Sequence, residues 1–144
     1  MAPLHDAAAL RLGRLDQRYT RNRRAVVSVL SDADAPLTIP EILGASPGLA
    51  QSSTYRNLAV LEEAGVVQRI VTGDDHARFE LTEELTGHHH HHLVCDGCGI
   101  VVDIALPDAL EHELEKAAVN VASTSGFVLA EHRLDLVGRC TTCS

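Results

Sequence analysis

Two Cys-x-x-Cys pairs, Cys95-Asp-Gly-Cys98 and Cys140-Thr-Thr-Cys143, stand forty-one residues apart in a chain of 144. Each pair presents two thiolates to one ion, and four thiolates close a tetrahedral zinc site with no open position, the arrangement of structural rather than catalytic zinc. If both pairs serve one ion, the segment near residue 140 must return to the one carrying Cys95. The intervening residues then form a closed unit whose folding is inseparable from metal. Gly97 and Gly99 relieve the tight turn of the first knuckle. A thioredoxin-type redox pair needs one reactive C-x-x-C beside a βαβ unit, and that context is missing.

Directly before the first knuckle lie five consecutive histidines, His88 to His92. A purification tag stands at a terminus, whereas this run is internal and continues into Leu93-Val94-Cys95. A loose solvated tract that binds metal weakly is the bland reading. In an extended strand, side chains alternate between faces, so His88, His90 and His92 project one way and His89 and His91 the other. One strand can then serve two separate ions. Completing either shell needs acids or distant histidines, for which Glu80, Glu83, Glu84, Glu111, Glu115, His112 and His132 are the candidates. Neutral imidazole suits Zn²⁺, Fe²⁺ or Ni²⁺, and added carboxylate shifts the preference toward harder ions.

Upstream the pattern changes. A helix is predicted to start near Thr20, with Ala25, Val26, Val29 and Leu30 as its core-facing stripe. Thr38 caps a short second helix through Ile42 and Leu43, closed by Gly44. The third starts at Ser52 or Ser53, turns Leu58, Leu61 and Ala64 inward, and ends at Gly65. Val66 to Thr72 and Ala77 to Leu81 read as strands around the turn Gly73-Asp74-Asp75. Helices followed by a hairpin make a winged helix-turn-helix. The polar stretch TEELTG reads as a hinge. Beyond it, HHHHLVC and IVVDIAL read as strands, Pro107 opens a helix, and FVLAEHRLDLVGRC gives one or two further strands. The predicted class is α+β: a winged helix-turn-helix domain over residues 1–81, a hinge over 82–87, and a small metal-binding α+β domain over 88–144.

With no Trp, two Tyr and two Phe, the core must be aliphatic, and so small a core invites help from metal or a second subunit. No run of 18 apolar residues exists, and the opening MAPLHDAAALRLG lacks a basic start followed by an apolar block. Neither a membrane span nor a signal peptide is expected, and the cytoplasm is the default. The net charge of −8 argues against indiscriminate nucleic-acid binding. Its distribution is uneven: residues 11–24 hold six arginines against Asp16 alone, whereas residues 85–144 hold three basic and eight acidic groups.

HHHHLVCDGCG followed by GRCTTC, together with STYRNLAVLEEAGVVQRI and RFEL, resembles the ferric uptake regulator family of metal-dependent transcription factors. The resemblance runs from about Arg18 to Cys143. It implies an N-terminal winged helix joined to a C-terminal dimerisation domain, and operator binding when a regulatory metal is present. By position, Cys95, Cys98, Cys140 and Cys143 fall on the family's structural zinc ligands. His89 and His91, with His132 and Glu111 or its rival Glu115, resemble one inter-strand metal site. His90 and His92, with Glu80, resemble the hinge site that senses metal. Several members place a further ligand histidine where this chain has Pro36, and TEELTG is about three residues longer than usual, so Glu83, Glu84 or His76 are candidate replacements. His88 is surplus, and is expected to be exposed or an alternate ligand. Tyr55 and Arg56 match the family's DNA-contacting pair, Arg18 its basic residue near the minor groove, and Arg23 a backbone contact. Ser53 and Thr54 at the helix start suit phosphate contacts.

The expected function is that of a metal-responsive repressor in which a divalent ion, zinc ahead of iron, orders the hinge and lets a homodimer bind double-stranded operator DNA. A structural Zn²⁺ and one or two regulatory ions per subunit are implied. Two other classes compete. A metal storage or delivery module explains the histidines but not STYRNL or the arginine-rich front. A zinc hydrolase lacks H-E-x-x-H, and a winged helix gives it nothing to do.

Overall fold

The Thr20 hydroxyl accepts the backbone N–H of Arg23 and caps helix α2 (Arg21–Asp32), as its position predicts. In the computed structural model, which describes residues 2–72 and 76–144, Val26, Val27 and Leu30 form the buried stripe of that helix. Thr38 and Glu41 build a complete capping box for α3 (Ile39–Ala45), with Pro40 in its first turn. That helix runs through Gly44 rather than stopping there. Helix α4 (Gln51–Glu63) starts ahead of Ser52 and Ser53; its N-cap is Ala50, without a side-chain cap bond. Ser53 Oγ instead donates to the Ala50 carbonyl at 3.2 Å.

Strands β2 (Val67–Val71) and β3 (Ala77–Leu81) form the wing in antiparallel register, Arg69 opposite Phe79. The expected turn Gly73-Asp74-Asp75 lies outside the described residues. A two-residue strand β1 (Leu37–Thr38) pairs with the other edge of β3, giving the order β1-β3-β2.

Helix α1 (Ala2–Gly13) was not expected. Its inward face is His5, Ala8 and Leu12, all buried, at the spacing of one helical stripe but with a small and a polar member that blunt the apolar signal. The TEELTG stretch also holds structure, a single helical turn α5 (Glu83–Thr86) closed by Gly87 in the left-handed region at φ 76°. Arg11 on α1 donates to the Gly65 carbonyl at 2.8 Å, as does the Thr82 hydroxyl just before α5. The end of α4 is thereby tied to both the first helix and the residue that precedes α5.

The second sheet has the order β5-β4-β6, from β4 (His91–Cys95), β5 (Val101–Ile104) and β6 (Asp135–Gly138). β4 pairs antiparallel with β5 and parallel with β6. The strand begins at His91 rather than His88, because His88 to His90 leave the left-handed Gly87 without a ladder partner. The stretch from Phe127 to Cys140 yields one strand, not two. Helix α6 (Asp108–Thr124) follows Pro107 as expected and has no buried residue.

The apolar core is lopsided. The main buried cluster runs from Ala8 to Leu81, whereas the buried apolar side chains after the hinge are Val94, Cys95 and Val101. Three such side chains are too few to hold some fifty residues by hydrophobic burial alone. Among the described residues, no helix is long and apolar enough to cross a membrane.

Candidate functional site

Cys95 ends β4, and the parallel partner β6 places Gly138 opposite it, which delivers Cys140 and Cys143 to the first knuckle. The four sulfurs lie within 4.8 Å of one another, and all are free thiols. Backbone N–H groups of Gly97, Cys98 and Cys140 point at Cys95 Sγ at 3.3, 3.5 and 3.4 Å. Those of Cys140 and Cys98 chiefly hold the Cys95 thiol down at about 6. Cys143, hydrogen-bonded to Cys140, Cys98 and Cys95, is pushed up to about 12. Four sulfurs this close ionise together only around a cation, and their number and separation fit a closed tetrahedral Zn²⁺ site. Gly97 sits in close contact: a Cβ there would stand 3.0 Å from both Cβ and Sγ of Cys143.

His89 to His92 divide by parity, although only His91 and His92 lie within β4 and His88 joins neither group. His89 and His91 meet edge to face with ring centres 4.6 Å apart, and His90 and His92 do the same at 5.3 Å. The odd pair joins Glu111 and His132; the even pair joins Glu80 and Asp103. His91 is almost wholly buried and pairs closely with Glu111. In the even cluster, His90 Nε2 lies 3.0 Å from Glu80 Oε2 and His92 Nε2 lies 2.8 Å from Glu80 Oε1. Burial pushes Glu80 up, but hydrogen bonds from His92 and Gln68 outweigh it and hold its carboxyl below the usual range. Burial, then the Glu80 charge, raises Asp103 to about 6.

Both clusters fit a divalent cation on grounds the protein itself supplies. Asp103 Oδ1 and His132 Nε2, one in each cluster, are buried atoms without a hydrogen-bond partner, with longer contacts of 3.5 Å to His92 and 3.4 Å to Glu111, and in the even cluster the buried Glu80 carboxylate shares its site with that of the half-buried Asp103. The rings are also arranged from outside. Glu83, Glu115 and Asp135 lie 2.8, 3.1 and 3.3 Å from Nδ1 of His89, His132 and His92, while Nε2 of each ring faces its cluster. A carboxylate accepting the outer N–H fixes the tautomer that leaves the inner nitrogen's lone pair free.

Of the expected ligands, Glu80, His89, His90, His91, His92, Glu111 and His132 fall in the two clusters, with Glu111 inside and Glu115 behind His132. Asp103 was not foreseen. None of the candidate replacements for the histidine absent at Pro36 joins the even cluster: Glu83 turns to His89, Glu84 to Arg11 at 3.5 Å, and His76 lines a groove beside Tyr55. His88 and His112 are exposed and in neither cluster.

On the winged-helix half, Tyr55 is 56% exposed, so it is not a core aromatic. Arg56 and Arg18 are exposed as well, and Ser53 is half-buried. Thr54 is fully buried, and the expected phosphate contact through its hydroxyl is corrected: in helical register it faces the core, opposite Tyr55 and Arg56. Arg23 is committed within the protein, donating to Asn57 Oδ1 at 3.0 Å, to Gln17 Oε1 at 3.2 Å and to the Arg18 carbonyl at 2.8 Å. It braces α2 against α4 through Asn57, a residue the sequence reading passed over.

A winged helix followed by a small sheet that gathers one thiolate and two imidazole-carboxylate clusters defines a class of metal-binding regulator. A sequence profile of the ferric uptake regulator family matches residues 14–137. The chain is 32% identical over 131 residues to the peroxide operon regulator of Bacillus subtilis (strain 168), covering 88% of this chain and 84% of that one. Among solved structures it is similar to the Helicobacter pylori ferric uptake regulator Fur, whose structure is described as revealing three functional metal binding sites. The TM-score is 0.71 at 25% identity, covering 92% of this chain and 85% of that one. It is also similar to the Vibrio cholerae ferric uptake regulator, with TM-score 0.69 at 27% identity over 90% and 96% of the two chains. The chain belongs to the ferric uptake regulator family, whose members are metal-responsive transcriptional regulators and not enzymes.

Proposed function

We propose that this protein is a repressor that binds operator DNA as a homodimer when Glu80, His90, His92 and Asp103 hold a divalent ion. One observation carries the reading: Glu80 sits in the wing strand β3, and its two oxygens reach one histidine before β4 and one within it. Residues 1–81 then act as the reading domain, 82–87 as the hinge and 88–144 as the dimerising domain. When bound, the ion supplies the positive charge that lets the Glu80 and Asp103 carboxylates approach. Glu80 anchors the wing to the second sheet, and the relative angle of two reading domains in a dimer becomes fixed for two half-sites. A coupling of about 1 to 3 kcal/mol is the usual size of such a response.

Tyr55 and Arg56, exposed on α4, and Arg18 nearby are the groups for base edges and phosphates. Leu110 and Val121, whole turns apart on one face of α6, with Phe127 and Val128, leave an exposed apolar face that supports pairing of two second halves. Cys95, Cys98, Cys140 and Cys143 hold a structural Zn²⁺.

The donor sets refine the expected order of metals. Three imidazoles and one carboxylate at His89, His91, His132 and Glu111 suit Zn²⁺, whereas two imidazoles and two carboxylates at the hinge suit Fe²⁺ or Mn²⁺ as well as Zn²⁺. The likeness to a peroxide operon regulator adds a second reading, in which peroxide governs DNA binding. DNA-binding titrations of protein retaining its thiolate-bound zinc, run against buffered Zn²⁺, Fe²⁺ and Mn²⁺ with and without hydrogen peroxide, separate these. Sequence-preferring binding that rises with one ion supports the repressor. Metal uptake without duplex binding at any loading leaves only the storage reading.

A further inference from the structure

The hinge turn α5 sends three consecutive side chains to three places. Leu85 packs against the apolar core of the reading half. Glu84 lies 3.5 Å from Arg11 of α1, an exposed pair of little weight by itself. Glu83 turns the other way: its Oε2 lies 2.8 Å from His89 Nδ1 and its Oε1 accepts the backbone N–H of His90 at 3.3 Å. His89 belongs to the odd cluster and His90 to the even one, so a single carboxylate touches a residue of each.

We propose that Glu83 is a positioning residue that couples the odd cluster to the hinge, by fixing the His89 ring for a cation at Nε2 while holding α5 against that ring. The proposal rests on the reading that His89, His91, Glu111 and His132 hold a divalent ion. Three outer carboxylates stand behind ring Nδ1 atoms, but Glu115 belongs to α6 and Asp135 to β6, both within the second half. Only Glu83 stands on the segment that joins the halves.

The physical argument is one of shared order. Glu83 and His89 are each 37% exposed, and an ion pair at that exposure is weak by itself. A ligand bond at Nε2 immobilises the ring and strengthens the Nδ1–H donor, so the Glu83 bond becomes a fixed point for α5. Since α5 is only one turn long, with Gly87 N–H bonded to the Glu83 carbonyl at 2.7 Å, holding Glu83 holds most of the turn. Leu85 and Glu84 pass that order to the reading half. Filling the odd cluster thereby lowers the freedom that the hinge cluster must remove, which is positive cooperativity between the two.

The test uses the full chain with its thiolate-bound zinc retained, in a His90→Ala/His92→Ala background so that added Zn²⁺ reaches only the odd cluster. Zn²⁺ affinity and amide hydrogen exchange at Thr86 and Gly87 are compared with Glu83→Ala, Glu115→Gln and His91→Ala added in turn. The expected results are slowed exchange at both amides on adding Zn²⁺, loss of that slowing in Glu83→Ala, and a roughly 10-fold weaker affinity in both carboxylate variants. Glu115→Gln, the control for mere loss of an outer carboxylate, keeps the slowing. The His89 Nδ1 proton resonance of the Zn²⁺ form is expected to persist in Glu115→Gln and to vanish in Glu83→Ala. Slowing that survives Glu83→Ala overturns the coupling. Unchanged Zn²⁺ affinity in His91→Ala overturns instead the underlying assignment of the cluster.

Discussion

His92 Nε2 lies 2.8 Å from Glu80 Oε1, so the start of the second sheet's central strand is bonded to a buried carboxylate of the wing. Glu80 is enclosed by His90, His92, Asp103 and Gln68, and its charge is what a cation there would balance. Glu80→Gln keeps the shape and removes the charge. Metal affinity at this cluster is expected to fall about 10- to 100-fold, by analogy with other lost polar partners of a metal site, and metal-stimulated DNA binding to fall with it. Isothermal titration together with a fluorescence-anisotropy DNA assay measures both; unaltered metal stimulation rejects the hinge assignment.

Gly97 offers a test of the thiolate site that spares every sulfur. A methyl group there meets Cys143 at 3.0 Å, and the backbone on both sides is held by N–H bonds to Cys95 Sγ. Gly97→Ala is expected to lower zinc content at a fixed chelator concentration and to loosen the second half, while the apolar cluster of the first half stays folded. Zinc analysis and near-neutral thermal melts report this; full zinc retention under chelator counts against the close approach.

Neighbouring positions on α4 should behave oppositely. Tyr55 is exposed and Thr54 is buried with a hydroxyl that has no hydrogen-bond partner. Tyr55→Ala is expected to weaken operator binding at least 10-fold with little change in stability. Thr54→Val replaces an unpaired hydroxyl by a methyl of similar volume, so stability is expected to hold or rise by about 1 kcal/mol with DNA affinity unchanged. Urea unfolding beside DNA binding distinguishes the two faces, and a Thr54→Val protein that folds normally yet loses DNA would restore the hydroxyl's phosphate role.

His5 gives the reading half its own response to acid. Burial, then the Arg24 charge, lowers its pKa below 6.5, and its ring lies between Tyr19 Oη at 2.5 Å and Ser28 Oγ at 3.3 Å. The folded state therefore binds fewer protons here than the unfolded one just below pH 6.5. The contribution of neutral His5 is complete above that value and is lost as pH falls through the window beneath it. His5→Gln is expected to lose less stability than the parent between pH 7 and pH 5, measured as the difference in urea midpoint; a constant difference across that range removes His5 from the acid response.

How far the sequence reached depended on the range of the signal. Alternation along residues 88–92 is local, and the two faces follow from period two alone. Asp103 was missed because its place depends on pairing: His92 and Asp103 are cross-strand partners. The clue was present in the knuckle, since counting outward from the turn at Cys95 to Gly99 pairs Val94 with Val101 and, two steps further, His92 with Asp103. Helix α1 was missed for another reason. Its buried face is His5, Ala8 and Leu12, a stripe carrying too little apolar character to stand out before its packing partners are known. Arg23 was placed as a DNA-backbone contact by resemblance; its bonds to Asn57, Gln17 and the Arg18 carbonyl were not legible because they depend on how the elements around α2 pack.

The lopsided core sets an order of events during synthesis. All members of the main apolar cluster lie at or before Leu81, whereas the second thiol pair emerges from the ribosome more than fifty residues later. The first half can therefore mature on the nascent chain by burial alone, whereas the second, if its thiols hold zinc as proposed, would wait for Cys140, Cys143 and the ion. A zinc-starved cell would then accumulate molecules with a finished reading head and no means of pairing, which makes the supply of one ion a checkpoint on assembly ahead of any signal sensed at the hinge.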